Sequence, residues 1–263
     1  MQILVLVKPV PDPEKHNEIE APLVINPADR SALETARQLR QDGDYITVLS
    51  MAPESAKARL TECLALGADE GILISDKAFA GADTYATSYV LVETIHQISK
   101  CFADEDDAET DGVAFDLILA GNESTDGGTS NIPAQIAQRM QWPCLTSALS
   151  VDRADTGLTV KVKEDGGDLF YEGSTPAVIA VCREAAVCKP ATAIAIVKAR
   201  KKPSRVMTNE ELNLPADRIG LAGSKTQMGD ARKLGMGRSA ESLGETPAEA
   251  AQSIADVIRK AGA

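Results

Sequence analysis

Positive charge is scarce in this chain. Its 263 residues carry 27 Lys and Arg against 39 Asp and Glu, a formal net charge of −12. A nucleic-acid binder presents a basic surface, so that class is excluded, and an anionic membrane surface is a poor partner for the same reason. Long apolar runs are missing as well: none approaches the roughly 20 residues of a membrane-spanning helix. The N-terminal run Ile3-Leu4-Val5-Leu6-Val7 is too short for a secretory core, and Lys8-Pro9 is no small-residue cleavage site. The expectation is a chain that carries no signal peptide, stays in the cytoplasm and is not embedded in a membrane.

Histidine is nearly absent. Neither His16 nor His96 has a partner evident in the sequence. The five cysteines, at 63, 101, 144, 182 and 188, are odd in number and scattered, which reads as buried thiols in a reducing compartment. Cys182 and Cys188 have no third and fourth ligand beside them, so no metal site is read there. No Ser/His/Asp or Cys/His set presents itself, which leaves nucleophilic hydrolysis without machinery. Neither the Gly-x-Gly-x-x-Gly spacing nor the Lys-Ser/Thr ending of the two common phosphate loops occurs in the most loop-like stretch.

What is present is an alternation. Ile3 to Val7 reads as a strand buried on both faces. The prolines at 9, 11 and 13 predict irregular backbone after it, since Pro cannot donate to a ladder. After a short extended piece at 23–25, Asn26-Pro27 predicts an N-cap and first turn, and Ala32, Leu33, Ala36 and Leu39 follow at helical spacing. Strands are predicted at 45–51, 71–74 and 116–120. Between them fall a helix ending at Gly67 and a helix from Thr84 to about Ser99 capped by Asp83. The acidic run at 102–114 reads as a solvated surface loop. Strand alternating with helix argues a doubly wound α/β fold with a mostly parallel sheet, whose ligands bind beyond the carboxyl ends of the strands.

The stretch that organises the rest is 116–132. A buried strand empties into a polar loop with Gly121, Gly127 and Gly128, and Thr129 and Ser130 are placed to cap a helix running to about Met140. A helix start offers unpaired N–H groups and a positive dipole end, which suits a phosphate. The plain alternative is a polar strand-to-helix connection with no ligand, and the loop does not name one.

After Trp142-Pro143 the pattern shifts to strands at 145–151, 158–163, 169–171 and 177–182, read as antiparallel strands extending or flanking the sheet. Residues 1–205 are read as a nucleotide-binding domain and 206–263 as a C-terminal arm and helix. The run Lys198-Ala199-Arg200-Lys201-Lys202 reverses the local charge, as a solvated helix end or as a contact for an acidic partner. Residues 215–245 hold six Gly and no sustained periodicity, so they read as an extended arm. Residues 246–261 close with an amphipathic helix whose buried face would be Ala250, Ile254, Val257, Ile258 and Ala261.

Several of these stretches together resemble the β subunit of electron-transfer flavoprotein over essentially the whole length. They are Ile3-Leu4-Val5-Leu6-Val7-Lys8, Asn26-Pro27, Met51-Ala52-Pro53, Ala65-Leu66-Gly67-Ala68-Asp69-Glu70, the 121–132 loop, Thr175-Pro176-Ala177-Val178, the basic run, and Ile219-Gly220-Leu221-Ala222-Gly223-Ser224. The resemblance implies an electron carrier in a bacterial or archaeal cytoplasm. It implies a heterodimer with an α subunit that carries a redox-active FAD, and a second nucleotide on this chain, AMP or FAD. It puts that nucleotide on Leu6, Asn26, Pro27, Ala28, Asp29 and Met51. The loop Gly121, Asn122, Glu123, Ser124, Thr125, Asp126, Gly127, Gly128, Thr129, Ser130, Asn131 and Ile132 completes the site. The stretch 78–88 resembles the electron-bifurcating branch, in which Thr84 and Thr87 would face a flavin and NADH would be a substrate. By the same resemblance the arm packs on the α subunit, and a dehydrogenase or quinone reductase is the further partner. The competing reading is an adenine-nucleotide-binding module of the same α/β class with no redox chemistry.

Overall fold

The computed structural model describes residues 1–15, 21–100, 113–227, 229, 242–244 and 246–260. The chain divides into two compact units, Met1–Gln227 and Met228–Ala263. In chain order the first unit holds β1 (Gln2–Leu6), β2 (Pro9–Pro11), β3 (Leu23–Ile25), α1 (Pro27–Leu39), β4 (Tyr45–Met51), α2 (Lys57–Leu66), β5 (Glu70–Ile74) and α3 (Thr84–Lys100). It continues with β6 (Leu117–Gly121), α4 (Ile132–Met140), β7 (Cys144–Ala154), β8 (Gly157–Glu164), β9 (Gly167–Gly173), β10 (Ala177–Val181), α5 (Ala193–Ala199), β11 (Ser204–Met207), α6 (Asn209–Leu212) and α7 (Gly220–Gly223).

A nine-stranded sheet runs β11-β5-β4-β1-β6-β10-β7-β8-β9. The strands from β11 to β7 are mutually parallel, and β8 and β9 add antiparallel neighbours at one end. Alternation along β1 sends Ile3 and Val5 to one face and Leu4 and Leu6 to the other. On the first face Leu33 and Ala36 of α1 and Leu60 and Leu64 of α2 complete the core. On the second, Val90, Ile95 and Ile98 of α3 and Ile136 of α4 do so. This is the doubly wound α/β architecture that the continuous apolar runs predict.

Four details depart from the pattern-based expectation. The Pro-rich exit of β1 is ordered: β2 pairs antiparallel with β3 as a separate two-stranded sheet. Asn26 N–H donates to the Lys8 carbonyl and Asp12 N–H to the Pro22 carbonyl. That alternation leaves Pro9 and Pro11 at positions with no ladder bond to give. Second, β10 does not flank the sheet but enters its interior, parallel to both β6 and β7. Its run Ala177–Val181 is buried on both faces, as an interior parallel strand requires. Third, β11, a strand not read from the sequence, extends the sheet beside β5. Its four residues are too short to show periodicity.

Fourth, residues 215–227 are part of the first unit, with Ile219 buried and α7 following it. The remainder of the stretch read as an arm, at 228, 230–241 and 245, lies outside the described residues. So do His16, Cys101, Ala261 and the acidic run from 102 to 112. In the second unit α8 (Pro247–Lys260) is capped by Thr246, whose hydroxyl accepts the Glu249 N–H at 3.3 Å. Its apolar face is not buried: Ile254, Val257 and Ile258 are 47%, 61% and 49% exposed.

Candidate functional site

The sheet order reverses direction at β1: chain-successive units step from β1 through β4 to β5 on one side, and from β6 on the other. In such sheets the crevice beyond the strand carboxyl ends at the reversal takes the ligand. The N-terminus of α1 is packed into this place. Asp29 Oδ2 accepts the Lys8 N–H at 2.7 Å, just past β1, and Oδ1 accepts the Gly121 N–H at 3.0 Å, at the end of β6. The fit is so close that a Cβ on Gly121 would lie 2.3 Å from Asp29 Oδ1 and 2.7 Å from the Ala28 methyl, so only glycine serves there. Burial pushes the Asp29 carboxyl up to about 6, outweighing the lowering by the Lys8 N–H, the Asn26 amide and the Gly121 N–H.

Asn26 holds the N-cap position, yet its side chain makes no cap bond. Instead its amide nitrogen donates to Asp29 Oδ1 at 3.0 Å and to the Glu123 carbonyl at 2.9 Å, and its oxygen accepts the Thr125 N–H at 3.2 Å. The side chain thus splints the loop after β6. Asn122 anchors the other side of that loop, its N–H donating to the Val181 carbonyl at 2.8 Å and its side chain accepting the Ser147 N–H at 3.0 Å. Gly128, at φ +56°, closes a turn whose N–H donates to the Ser124 carbonyl at 2.8 Å. Lys8 Nζ lies 2.7 Å from Asp126 Oδ2. Burial raises the Asp126 carboxyl, but the hydrogen bonds from Lys8 and Ser124 more than compensate and hold it below the usual range.

The helix after the loop starts later than expected. Asn131, not Thr129 or Ser130, occupies the N-cap position, and no side chain caps there. Left-handed backbone at Gly128 and at Ser130 (φ +54°) delays helical geometry and leaves Thr129 and Ser130 lining a cavity.

That cavity measures about 610 Å³. Among the residues expected at the site, it is lined by Leu6, Asn26, Asp29, Met51, Thr84 and Thr87. The loop adds Gly121, Asn122, Glu123, Ser124, Gly127, Thr129, Ser130, Asn131 and Ile132. Pro27, Ala28, Thr125, Asp126 and Gly128 stand behind or beside that lining: Ala28 packs on Gly121, Thr125 is tied to Asn26, Asp126 to Lys8, and Gly128 makes the turn. Residues outside that expected set also line it, among them Lys8, Leu49, Phe79, Asp83, Leu91 and Thr226. Lys8 carried a signal, since it follows β1 directly. Thr226 carried none, lying in a stretch without periodicity.

The lining mixes polar side chains, among them the Lys8 ammonium, the hydroxyls of Ser124, Thr129 and Ser130 and the carboxylates of Asp29, Asp83 and Glu123, with the apolar side chains of Leu6, Leu49, Met51, Phe79 and Leu91. It suits an anionic group joined to a flat apolar one. Burial raises the thiols of Cys63, Cys144, Cys182 and Cys188 above the ordinary cysteine value, so none is activated as a nucleophile. Among the described residues no helix is long and apolar enough to cross a membrane.

Comparison with known proteins places these features in context. Residues 17–212 match the family described as Electron transfer flavoprotein domain. The chain is 33% identical to an electron transfer flavoprotein subunit beta of Thermoanaerobacterium thermosaccharolyticum, over 87% of this chain and 86% of that protein. It is 32% identical to the caffeyl-CoA reductase-Etf complex subunit CarD of Acetobacterium woodii, with the same coverage of each. It is 33% identical to the acryloyl-CoA reductase electron transfer subunit gamma of Anaerotignum propionicum, again over 87% and 86%.

Proposed function

This chain belongs to the electron transfer flavoprotein family, and from that premise we propose that it is a β-type subunit whose cavity holds FAD. The observation that carries the reading is the cavity at the ends of β1, β4 and β6, bounded by the 121–132 loop. The residues present fit a dinucleotide. The Lys8 ammonium and the hydroxyl side chains of Ser124, Thr129 and Ser130 suit a diphosphate, and the apolar side chains from Leu6 to Leu91 suit a flat ring. The volume and this apolar lining favour FAD over AMP, which brings only the adenosine and one phosphate. Flavin, when bound, supplies one- and two-electron chemistry.

The chain's own residues bind, orient and shield. The Asn26 and Asp29 splint holds the loop in place before any ligand arrives, so little ordering is left for binding. Thr84 and Thr87 bring hydroxyl groups to the lining, where they can hydrogen-bond a flavin ring. The uncovered face of α8, with Ile254, Val257 and Ile258, is the contact for the FAD-bearing α subunit. The exposed side chains Val187, Ile194 and Val197, beside Lys198, Arg200 and Lys201, form the docking surface for a dehydrogenase or quinone reductase with an acidic face. NADH as a substrate belongs to the same reading, through the flavin held here.

The test is a cofactor count. The chain is co-expressed with its α subunit, the complex purified, and the acid extract assayed for FAD and AMP. Two FAD per heterodimer and no AMP is the expected result. One FAD with one AMP would overturn the assignment of FAD to this cavity, and flavin-free ATP or AMP on an isolated chain would overturn the electron-transfer reading.

A further inference from the structure

One wall of the cavity comes from far along the chain. Thr226, 143 residues beyond Asp83, lines the same cavity as Asp83. Two contacts seat the segment that brings it there. Gly220, at φ +53°, has no room for a side chain, since a Cβ would lie 2.3 Å from the Ala78 carbonyl oxygen. Leu221 N–H donates to the Ala80 carbonyl at 3.1 Å. The Ser224 hydroxyl then accepts the Asp83 N–H at 2.8 Å and donates to the Gly220 carbonyl at 2.8 Å.

The two oxygens of Asp83 have separate partners. Oδ1 accepts the Ala86 N–H at 2.9 Å and caps α3. Oδ2 accepts the Lys225 N–H and the Thr226 N–H, each at 2.8 Å, and the Thr226 hydroxyl at 3.0 Å. Burial raises the Asp83 carboxyl, but these donors outweigh it and keep the group ionised. Past Gly223 the hold on the segment is polar. Lys225, Thr226 and Gln227 are exposed, and the bonds to Oδ2, with the Lys225 ammonium 5.4 Å from the Tyr85 ring centre, keep them on the wall.

We infer that residues 224–226 are a strap that retains the bound nucleotide, with Thr226 as a ligand contact and Asp83 as the residue that positions it. The inference rests on the nucleotide reading of the cavity. A segment held by exposed polar bonds opens locally at low free energy, whereas the apolar core beneath it does not. A ligand filling the cavity gives the strap a further surface to rest on, so binding shifts it toward the closed arrangement and its opening governs release.

The test uses the full chain with its α-subunit partner, and FAD and AMP as separate probes. Hydrogen exchange at the Lys225 and Thr226 amides is expected to slow about tenfold on addition of the nucleotide that binds, equivalent to one charge-assisted hydrogen bond. Asp83→Asn keeps the shape and one oxygen for the α3 cap, but turns an amide toward the strap donors. It is expected to release the probe about tenfold faster with an unchanged association rate. Thr226→Val leaves the α3 cap untouched, is expected to speed release about threefold, and carries the test alone if Asp83→Asn does not fold. Should the probe bind while release rates and strap exchange stay at wild-type values, the strap is wrong and the nucleotide reading stands. Should the wild-type complex take up neither FAD nor AMP, both fall.

Discussion

Asp29 is the residue on which the two central strand ends meet. It is 6% exposed, and its carboxyl is pushed up to about 6 from an ordinary 3.8 because burial outweighs its three N–H donors. Between those two values the folded chain holds a proton that the unfolded chain has lost. Stability therefore falls as pH rises through that window, by on the order of 3 kcal/mol, and the loss is complete above the folded value. Asp29→Asn removes the titration while keeping the shape. Denaturant midpoints measured from about pH 4 to about pH 7 should show the native chain losing stability relative to the Asn variant, with the change confined to the lower part of that range. A difference that stays constant would mean the carboxylate is ionised throughout in the folded chain, with the three donors prevailing over burial. That Asp29 would line the cavity was implied by the family resemblance at Asn26-Pro27. That it would be buried and shared between β1 and β6 was not, because those partners come from residues 8 and 121.

At the scale of elements, the junction of α1 with the 121–132 loop is the feature that shapes the site. Asn26-Pro27 is a sound helix-start signal, and α1 does start at Pro27. The side chain is nonetheless turned away from its own helix toward Glu123 and Thr125, since Asn26 is buried and its amide must find partners there. Asn26→Ser separates the two roles, because serine caps well but cannot reach both loop groups. The expected outcome is unchanged helical circular dichroism, a loss of about 1–3 kcal/mol in stability, and faster hydrogen exchange at the Thr125 amide. Retained protection at Thr125 would show that the loop holds itself. The same logic explains the late start of α4. Thr129 and Ser130 are good capping residues by type, but left-handed backbone at Gly128 and Ser130 moves the first turn on to Ile132.

For the whole molecule, charge is the distinguishing quantity. A chain of net charge −12 that exposes Lys198, Arg200 and Lys201 beside apolar Ile194 and Val197 presents a cationic surface against a negative total. If that surface docks an acidic partner, association is steered electrostatically and weakens with salt. Raising ionic strength from about 0.02 M to about 0.2 M shortens the screening length from roughly 20 Å to roughly 7 Å, and stopped-flow electron transfer with a dehydrogenase partner should slow about tenfold. A rate independent of salt would assign the basic run to the solvated helix end instead. One of its members is already structural: Lys202 Nζ donates to the Leu64 carbonyl at 3.1 Å, at the C-terminal end of α2.

The sequence by itself determined the fold class, the strand ends at which the cavity opens, and the glycine-punctuated loop that frames them. These follow from local pattern: continuous apolar runs make buried strands, 3.6-residue spacing makes the helices between them, and Gly and Pro mark the turns. Tertiary structure decided what depends on residues distant in the chain. It inserted Ala177–Val181 between β6 and β7, gave Asn26 a loop to splint in place of a helix to cap, and brought Thr226 against Asp83 across 143 positions. Each is a choice among partners that local sequence does not contain: apolar burial on both faces drew in Ala177–Val181, the buried Asn26 amide had to find hydrogen-bond partners, and a carboxylate at the start of α3 met the N–H groups of a distant segment.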